Sequence, residues 1–319
     1  MPAPRSAILL LIASQLLALL PTSIATPART GPSTSVRERD GVEVLGSATS
    51  SHALRKRASG YTNPADGGGY MLTIVNGTYP AGLGEPLNII LSADSDKEVL
   101  VKSTEDGGYL NYMLIAGQGE ECLGQHLGSD QSANLGDGKG NVTEVEELRY
   151  NYGNPYIGTC QETFNGGSHL RYWIQNTTGA YFMAASVEMD LNSGHDIVRN
   201  GYNLGRDQVV GNLTGQSIDT LTLTNQSTFS GQGSYMNYTY QTDVQYVSGL
   251  LKNSSDDINH YITVEEDGRP AIDGLVAVMT VKIVARPESN AAWSTVTQSP
   301  VMIVLAPLVV TFVAMFTSL

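Results

Sequence analysis

Cysteine is scarce in this chain, and the two that are present define a simple prediction. Cys122 and Cys160 are 38 residues apart, with no CxxC spacing and no second cysteine cluster. This disfavours a metal thiolate or a catalytic cysteine. In an oxidising compartment the pair is expected to form one disulfide, which stabilises by about 4 kcal/mol on the disputed loop-entropy account.

Positive charge is also in short supply. The chain has 31 acidic and 18 basic residues; the first 57 residues hold 3 acidic and 7 basic ones, and the last 29 hold neither. Residues 58–290 therefore carry 28 acidic against 11 basic side chains. This balance argues against nucleic acid as a partner and against binding anionic lipid by charge. It suits an extracellular surface that repels its neighbours.

Several catalytic motifs are missing. The chain has no GxSxG and no HExxH, so neither an α/β-hydrolase nor a zincin is supported, and "GDGKG" lacks the Walker spacing. "DLNSGHD" begins like a calcium loop, but Gly201 stands at its twelfth position, where a glutamate is required. A turn is favoured there, with a weak surface calcium site as the alternative. The sequence predicts no metal and no cofactor.

The N-terminal region has the pattern of a processed leader. A basic residue, the apolar run "AILLLIASQLLALL" and small residues in "TSIA" predict a signal peptide over 1–25. A membrane anchor is the alternative, although the run is shorter than a span needs. Residues 26–57 are polar and rich in Ser, Thr and Pro, which predicts a disordered propeptide. It ends in "LRKR", where cleavage after Arg57 is favoured over a solvated basic patch.

The C-terminal region predicts a lipid anchor. Small residues, a polar spacer and the apolar stretch "VMIVLAPLVVTFVAMFTSL" make a GPI-attachment signal, removed as 291–319. Asn290 is the preferred attachment site and Ser289 the second. Because no Lys or Arg follows the stretch, nothing would hold a cytoplasmic end. A retained transmembrane tail is the alternative, and either would make the membrane a partner.

Residues 58–290 have the size of one domain. They contain seven Asn-x-Ser/Thr sequons, which predict N-glycans on an extracellular protein attached to the plasma membrane or cell wall. Each occupied asparagine must lie at the surface. The sequons begin at Asn76, Asn141, Asn176, Asn212, Asn225, Asn237 and Asn253.

Hydrophobic patterning predicts an α/β (α+β) fold with a mixed sheet and a few short helices. A capping box predicts a helix over 95–104, and 205–215 reads as a second short helix. The stretch 107–117 is a strand or a loop, and 117–165 a Gly/Asn-rich insertion pinned by the disulfide. Strands are expected in "YMLTIVNGTY", "PLNIILSA", "SYMNYTYQTDVQYV" and "IDGLVAVMTVKIVA", with "HLRYWIQN" and "AYFMAASVEM" forming a hairpin.

The segment "GGSHLRYWIQ" carries the candidate site. As a strand it places Leu170, Tyr172 and Ile174 on one face and His169, Arg171 and Trp173 on the other. The hairpin, the following loop and a helix beginning near Arg206 could unite two arginines with two histidines. The predicted cluster consists of His169, Arg171, Trp173, His195, Arg206 and Asp207.

Three interpretations of this cluster stay open. In the structural one, Arg171 pairs with Asp207 or Glu188, and Trp173 covers the sheet beneath the helix. In the second, Arg171 and Arg206 bind a phosphate or carboxylate. In the third, His169 or His195 is a general acid/base of a hydrolase that acts on an anionic substrate. The ligand itself is not predicted.

The succession "PLNIILSADSDKEV", "HLRYW", "GAYFMAASVEMD", "GHDIV" and "GRDQVV" resembles the LssY C-terminal domain, as does the later "DGLVAV". The resemblance spans about 70–285, with the cysteine-containing segment as a departure. It implies that the cluster residues named above are the positions that matter. Members of this family occur fused to membrane proteins of the phosphatidic-acid-phosphatase type. The resemblance therefore favours an anionic ligand but assigns no reaction.

Overall fold

The structure is a computed structural model that describes residues 60–126 and 128–288. The predicted signal peptide (1–25), the propeptide (26–57) with its site at Arg57, and the GPI signal (291–319) lie outside the described residues. So do the attachment candidates Ser289 and Asn290. These remain predictions.

Within the described residues, an eight-stranded mixed sheet forms the centre of the fold. Its order is β3-β6-β7-β8-β2-β13-β10-β9. Neighbours in this sheet are antiparallel except β2 and β13, which are parallel. Two smaller sheets, β1-β4-β5 and β11-β12, accompany it. The strands are β1 Thr73–Ile74, β2 Ile89–Leu91, β3 Gln118–Glu120, β4 Ser132–Asn134, β5 Asn141–Thr143, β6 Glu146–Tyr150, β7 Gly167–Ile174, β8 Tyr181–Glu188, β9 Thr228–Tyr235, β10 Tyr238–Val247, β11 Asn253–Ser254, β12 Ile272–Asp273 and β13 Val276–Ala285.

The helices are short. They are α1 Tyr109–Met113, α2 Gly158–Asn165, α3 Gly201–Thr214 and α4 Tyr261–Val264, with 3₁₀ turns at Pro64–Gly67, Leu114–Ala116, Cys122–Gly124, Leu191–Ser193 and Thr220–Thr222. In the part of the chain that the structure describes, no helix is both long and apolar enough to cross a bilayer. The predicted α/β class, a mixed sheet with a few short helices, is confirmed.

Two hydrophobic cores lie on opposite faces of the sheet. On the helix face, α1 and the apolar side of α3 pack against side chains such as Leu170, Tyr172 and Met183. On the opposite face, called here the small-sheet face, Trp173 and Phe182 pack with residues of β4 and of the segment before β13. Alternate apolar residues of β7 therefore pack in both cores, as its period-two pattern predicts.

The β7–β8 hairpin is confirmed. It runs from the pair Gly167–Glu188 to the pair Ile174–Tyr181, with Asn176 and Gly179 in the connecting turn. Gly179 has φ +82°, a conformation that favours glycine.

The segment 117–165 is more closely joined to the fold than an appended insertion would be. Its strands β3 and β6 belong to the eight-stranded sheet, while β4 pairs with both β1 and β5 in a three-stranded sheet. The predicted disulfide is present, with the Cα atoms of Cys122 and Cys160 4.5 Å apart. It links the 3₁₀ turn after β3 to α2, and it is consistent with an extracytoplasmic location.

Two local predictions are wrong. The capping-box helix over 95–104 is a series of turns, because the Ser95 hydroxyl accepts a hydrogen bond from the Val281 backbone instead of capping a helix. The stretch 107–117 is neither strand nor loop but α1 and a 3₁₀ turn. Its residues Tyr109, Leu110, Tyr112 and Met113 all enter the helix-face core.

The C-terminal half differs from the prediction mainly in its boundaries. Helix α3 ends before Gly215 as expected, but it begins at Gly201, so Arg206 and Asp207 lie in its second turn. "SYMNYTYQTDVQYV" is not one strand: it holds the end of β9, a turn and β10. Both turn residues, Met236 and Asn237, have positive φ, the backbone that a two-residue hairpin requires.

Candidate functional site

The polar face of β7 lies between two polar strands. On one side the register sets Arg149 opposite His169 and Glu147 opposite Arg171. On the other side Ser186 of β8 lies opposite His169. Side chains directly opposite one another in an antiparallel pair are close enough to interact. The polar face is thus flanked by acids and a further arginine.

Arg171 is held by two carboxylates. Its Nη1 pairs with Glu144, and its Nη2 lies 2.5 Å from Glu147 Oε2. The side chain is buried, so each pairing replaces water that burial has removed. The predicted partners Asp207 and Glu188 are therefore wrong for Arg171.

Arg149, which the sequence did not single out, is the hub of the site. Its Nε lies 3.3 Å from Glu121 Oε1, its Nη2 2.5 Å from Glu147 Oε1, and its Nη1 2.9 Å from Glu162 Oε2. Nη1 also lies 3.9 Å from Glu188 Oε2. Strand β6 thus presents a guanidinium to carboxylates from four different segments.

His169 and His195 meet at one carboxylate. His169 Nδ1 lies 3.2 Å from Glu188 Oε1, and His195 Nδ1 lies 3.4 Å from Glu188 Oε2. His169 is only 3% exposed. Burial, then the charges of Arg171 and Arg149, hold the pKa of His169 well below its ordinary value, so its imidazole is neutral. The structure brings these two predicted residues together.

These side chains form one cluster, called here the glutamate network. It contains Arg149, Arg171, His169, His195, Glu121, Glu144, Glu147, Glu162 and Glu188. Five carboxylates face two guanidinium groups, the neutral imidazole of His169 and the ring of His195, so the predicted positive island is wrong. Burial raises the pKa of Glu147 to about 7 and that of Glu188 to about 8, against the opposing effect of the arginines.

Arg206 and Asp207 lie in a separate network. Arg206 is 0% exposed. It pairs with Asp207 at 2.7 Å and, through both Nη atoms, with Asp273 at 2.8 Å. It also donates to the Leu275 carbonyl, and its guanidinium lies 5.1 Å from the ring centre of Tyr246. The apolar side of α3 packs on the helix face, whereas His169 and Arg171 point to the opposite face. Arg206 and Asp207 thus pair with each other, with Asp273 and with Tyr246, and not with His169 or Arg171.

Trp173 is buried, but not under α3. Its Nε1 donates to the Val142 carbonyl of β5 at 3.1 Å, and its ring belongs to the small-sheet core. It therefore fixes the small sheet to β7 and takes no part in either charged network.

The loop geometry of the network depends on two glycines. Gly166 has φ +70°, and a Cβ there would lie 2.4 Å from the Met189 carbonyl oxygen. A Cβ on Gly167 would lie 3.3 Å from Glu162 Cγ. The Gly-Gly pair therefore lets α2 approach β8 closely enough to place Glu162 over β7. The disulfide fixes the same region, since Cys122 follows Glu121 and Cys160 precedes Glu162 by two residues.

One arrangement resembles a catalytic triad in its composition. Ser186 Oγ lies 3.3 Å from His169 Nε2, and His169 Nδ1 contacts Glu188. However, Oγ is 3.5 Å from Nδ1 as well, so it does not lie along one ring lone pair. Ser186 is 2% exposed. A nucleophile needs both alignment with its base and access for a substrate, and this serine has neither.

Two of the surface cavities lie away from the network. One is lined by Leu110, Leu114 and Tyr238, and another by Met71 and Ile258 together with neighbouring residues. Neither lining includes a member of the glutamate network. These cavities are therefore not openings to His169 or Arg171.

The sequon asparagines share one property: all of them are exposed. They lie on strands, in turns and on α3, where Asn212 Nδ2 donates to the Ala116 carbonyl. Asn237 is at the tip of the β9–β10 hairpin, and Asn176 is in the β7–β8 turn. The surface position that glycosylation requires is thus available at Asn76, Asn141, Asn176, Asn212, Asn225, Asn237 and Asn253.

No protein-family model, no curated protein and no solved structure matches this chain. The resemblance to the LssY C-terminal domain stays a prediction. Functional inference therefore depends on the residues themselves.

Proposed function

We propose that this chain is an N-glycosylated, GPI-anchored extracellular protein whose α/β domain has a structural or binding role and is not a hydrolase. The main support is that the cations expected to hold an anionic substrate already have carboxylate partners. Arg171 is paired with Glu144 and Glu147, and Arg206 with Asp207 and Asp273. An anion would have to displace these acids from buried positions.

The surface-protein part has independent support. The disulfide favours an oxidising compartment, and seven exposed sequons provide room for glycans. The preferred attachment residue Asn290 follows Ala285 by five positions. A lipid there would hold the end of β13 close to the membrane, because few residues separate Ala285 from Asn290.

Phosphatidylinositol-specific phospholipase C is expected to release the full chain from intact cells. The released protein should lose mass on treatment with peptide N-glycosidase F. A truncated chain that ends at Pro300 is the control, because it lacks the apolar stretch and should be secreted without the enzyme. Retention of the full chain on treated cells, with peptides of 301–319 still found by mass spectrometry, would favour a transmembrane tail.

The hydrolase alternative has its own test. Purified protein is expected not to hydrolyse p-nitrophenyl phosphate above the rate of a His169→Ala variant, because His169 is buried and Ser186 is misaligned with it. The His126→Ala variant, altered at an exposed histidine, controls for contaminating activity. Turnover that disappears only in His169→Ala would refute the non-enzymatic role.

A further inference from the structure

Three side chains of the glutamate network have the donor atoms and spacing of a metal site. Ligand atoms of Glu162, His169 and Glu188 all lie within 4.8 Å of one another. We propose that these residues bind one divalent transition-metal ion of the Zn²⁺ type. The sequence predicted no metal, and the site goes beyond the function proposed above.

A buried carboxylate oxygen without a hydrogen-bond partner favours the binding of a cation. Glu162 is 0% exposed, and its Oε1 accepts no hydrogen bond from the described residues, although Oε2 is held by Arg149. A buried carboxylate oxygen without a partner is costly, and a metal ion would satisfy it. His195 Nδ1 lies 3.4 Å from Glu188 Oε2 without forming a hydrogen bond, so that oxygen is also available to a cation.

The charge of the surroundings favours a cation. Five glutamates face Arg149 and Arg171, so the ionised network has an excess of negative charge in a buried position. A divalent ion would offset most of this excess. Arg149 pairs with Oε2 of Glu162, the oxygen that would not bind the metal. It would therefore orient this ligand, as residues that hydrogen-bond to metal ligands commonly do.

The types of donor select the class of metal. A neutral imidazole and two carboxylates suit Zn²⁺ and similar transition ions, whereas Ca²⁺ and Mg²⁺ prefer oxygen ligands alone. Three protein ligands leave one tetrahedral position for a water molecule. The ion would tie α2, β7 and β8 together, so its expected role is to stabilise this end of the sheet.

The scaffold is rigid where the ligands lie. Glu162 is carried by α2, which the disulfide joins to the turn at Cys122. Its approach to β8 is set by the Gly166–Gly167 turn, and His169 and Glu188 are in paired strands. Ligands fixed on helices and strands hold a metal geometry better than ligands on loops.

Zn²⁺ titration of the purified full chain tests the site. The chain is stripped with EDTA, freed of chelator and followed by calorimetry and thermal unfolding. One Zn²⁺ per chain and a higher Tm are expected. Glu162→Gln and Glu188→Gln keep the shape of the side chains but should raise the Kd for Zn²⁺ by more than about tenfold and abolish the rise in Tm.

His260→Asn is the matched control. His260 is a partly exposed histidine that also lies beside a carboxylate, pairing with Asp196 at 2.6 Å, and it belongs to none of the groups of side chains with metal-ligand spacing. Its removal should leave Zn²⁺ binding unchanged. Should either glutamine variant fail to fold, the visible absorption of Co²⁺ bound to the wild-type chain reports whether the site is four-coordinate. Binding that is equal in the glutamine variants and the wild type, or no binding at a large excess of Zn²⁺, would overturn the proposal.

Discussion

Replacing Arg206 with alanine is expected to destabilise the domain by about 3–5 kcal/mol, because it leaves the buried Asp207 and the partly exposed Asp273 without their cation. Arg206 is fully buried, and it holds Asp207 and Asp273 with charge-assisted bonds of 2.7–2.8 Å. Asp207 would keep only the Tyr246 hydroxyl, which donates to its Oδ1 at 2.7 Å. Urea unfolding of the purified chain measures the loss.

Two further variants separate lost charge from lost packing. Arg206→Lys keeps the charge but cannot form the planar fork, so it should lose an intermediate amount. Adding Asp207→Asn to Arg206→Ala removes the orphaned acid and should restore part of the stability. Arg269→Ala, which breaks an exposed pair with Glu266, is the control and should cost under about 1 kcal/mol. A loss for Arg206→Ala as small as that of the control would contradict the structural role.

The hairpin shows what sequence patterning can determine. Alternation along "GGSHLRYWIQ" assigned every side chain of β7 to the correct face, because a one-residue shift would have buried His169 and Arg171 in the apolar core. The turn and the partner strand followed from "TTG" and the apolar run after it. Local information was enough for this unit, since its two strands are adjacent in sequence.

The partners of β7 on its other side were not predicted. Strand β6 reads "EELRY", which contains Glu147 and Arg149, but it lies in a stretch rich in Gly, Asn and Asp that resembled an insertion. Had β6 been placed beside β7, the pairing of Glu147 with Arg171 would have followed from cross-strand charge complementarity. Glutamates such as Glu162 and Glu188 gave no signal, because acidic residues in an acidic chain are usually solvated.

The separation of Arg206 from His169 has a simple cause. The sequence locates α3 after β8, and it predicted a helix that begins near Arg206 and contacts the polar face. In the fold α3 begins earlier, and its apolar side packs on the helix face. Which face a helix covers depends on how the whole sheet curves and on the pairing of strands that are far apart in sequence, such as β2 and β13. Local sequence patterning reports neither.

Removal of Arg149 is expected to have a large effect that depends on pH. Its guanidinium contacts Glu121, Glu147 and Glu162, and Arg149→Ala should cost about 3–5 kcal/mol at pH 8, where more of the carboxylates are charged than at pH 5.5. At pH 5.5 the loss should be clearly smaller. The measurement is urea unfolding in the presence of EDTA, which keeps metal ions from contributing.

The direction of this pH dependence follows from the raised pKa values of two glutamates. The pKa of Glu147 is raised in the folded state from an ordinary 4.5 to about 7, and that of Glu188 to about 8. A carboxyl with a raised pKa binds its proton more tightly when folded. Its stabilising contribution is complete below about pH 4.5 and is lost as the pH rises through 7–8. The wild-type chain should therefore also be less stable at pH 8 than at pH 5.5.

Without Arg149 these acids lose a cation that opposes the rise, so their pKa values should move further upward and the acids should be neutral at pH 5.5. A neutral acid left behind by the missing arginine costs much less than a buried charge.

Glu147→Gln should flatten the pH dependence of the wild-type chain, since it removes one of the titrating groups. Arg286→Ala, at an exposed pair with Glu98, should show a small loss that is the same at both pH values. An equal loss for Arg149→Ala at pH 5.5 and pH 8 would mean that packing of the arginine stem, and not the charge of the glutamate network, holds this end of the sheet together.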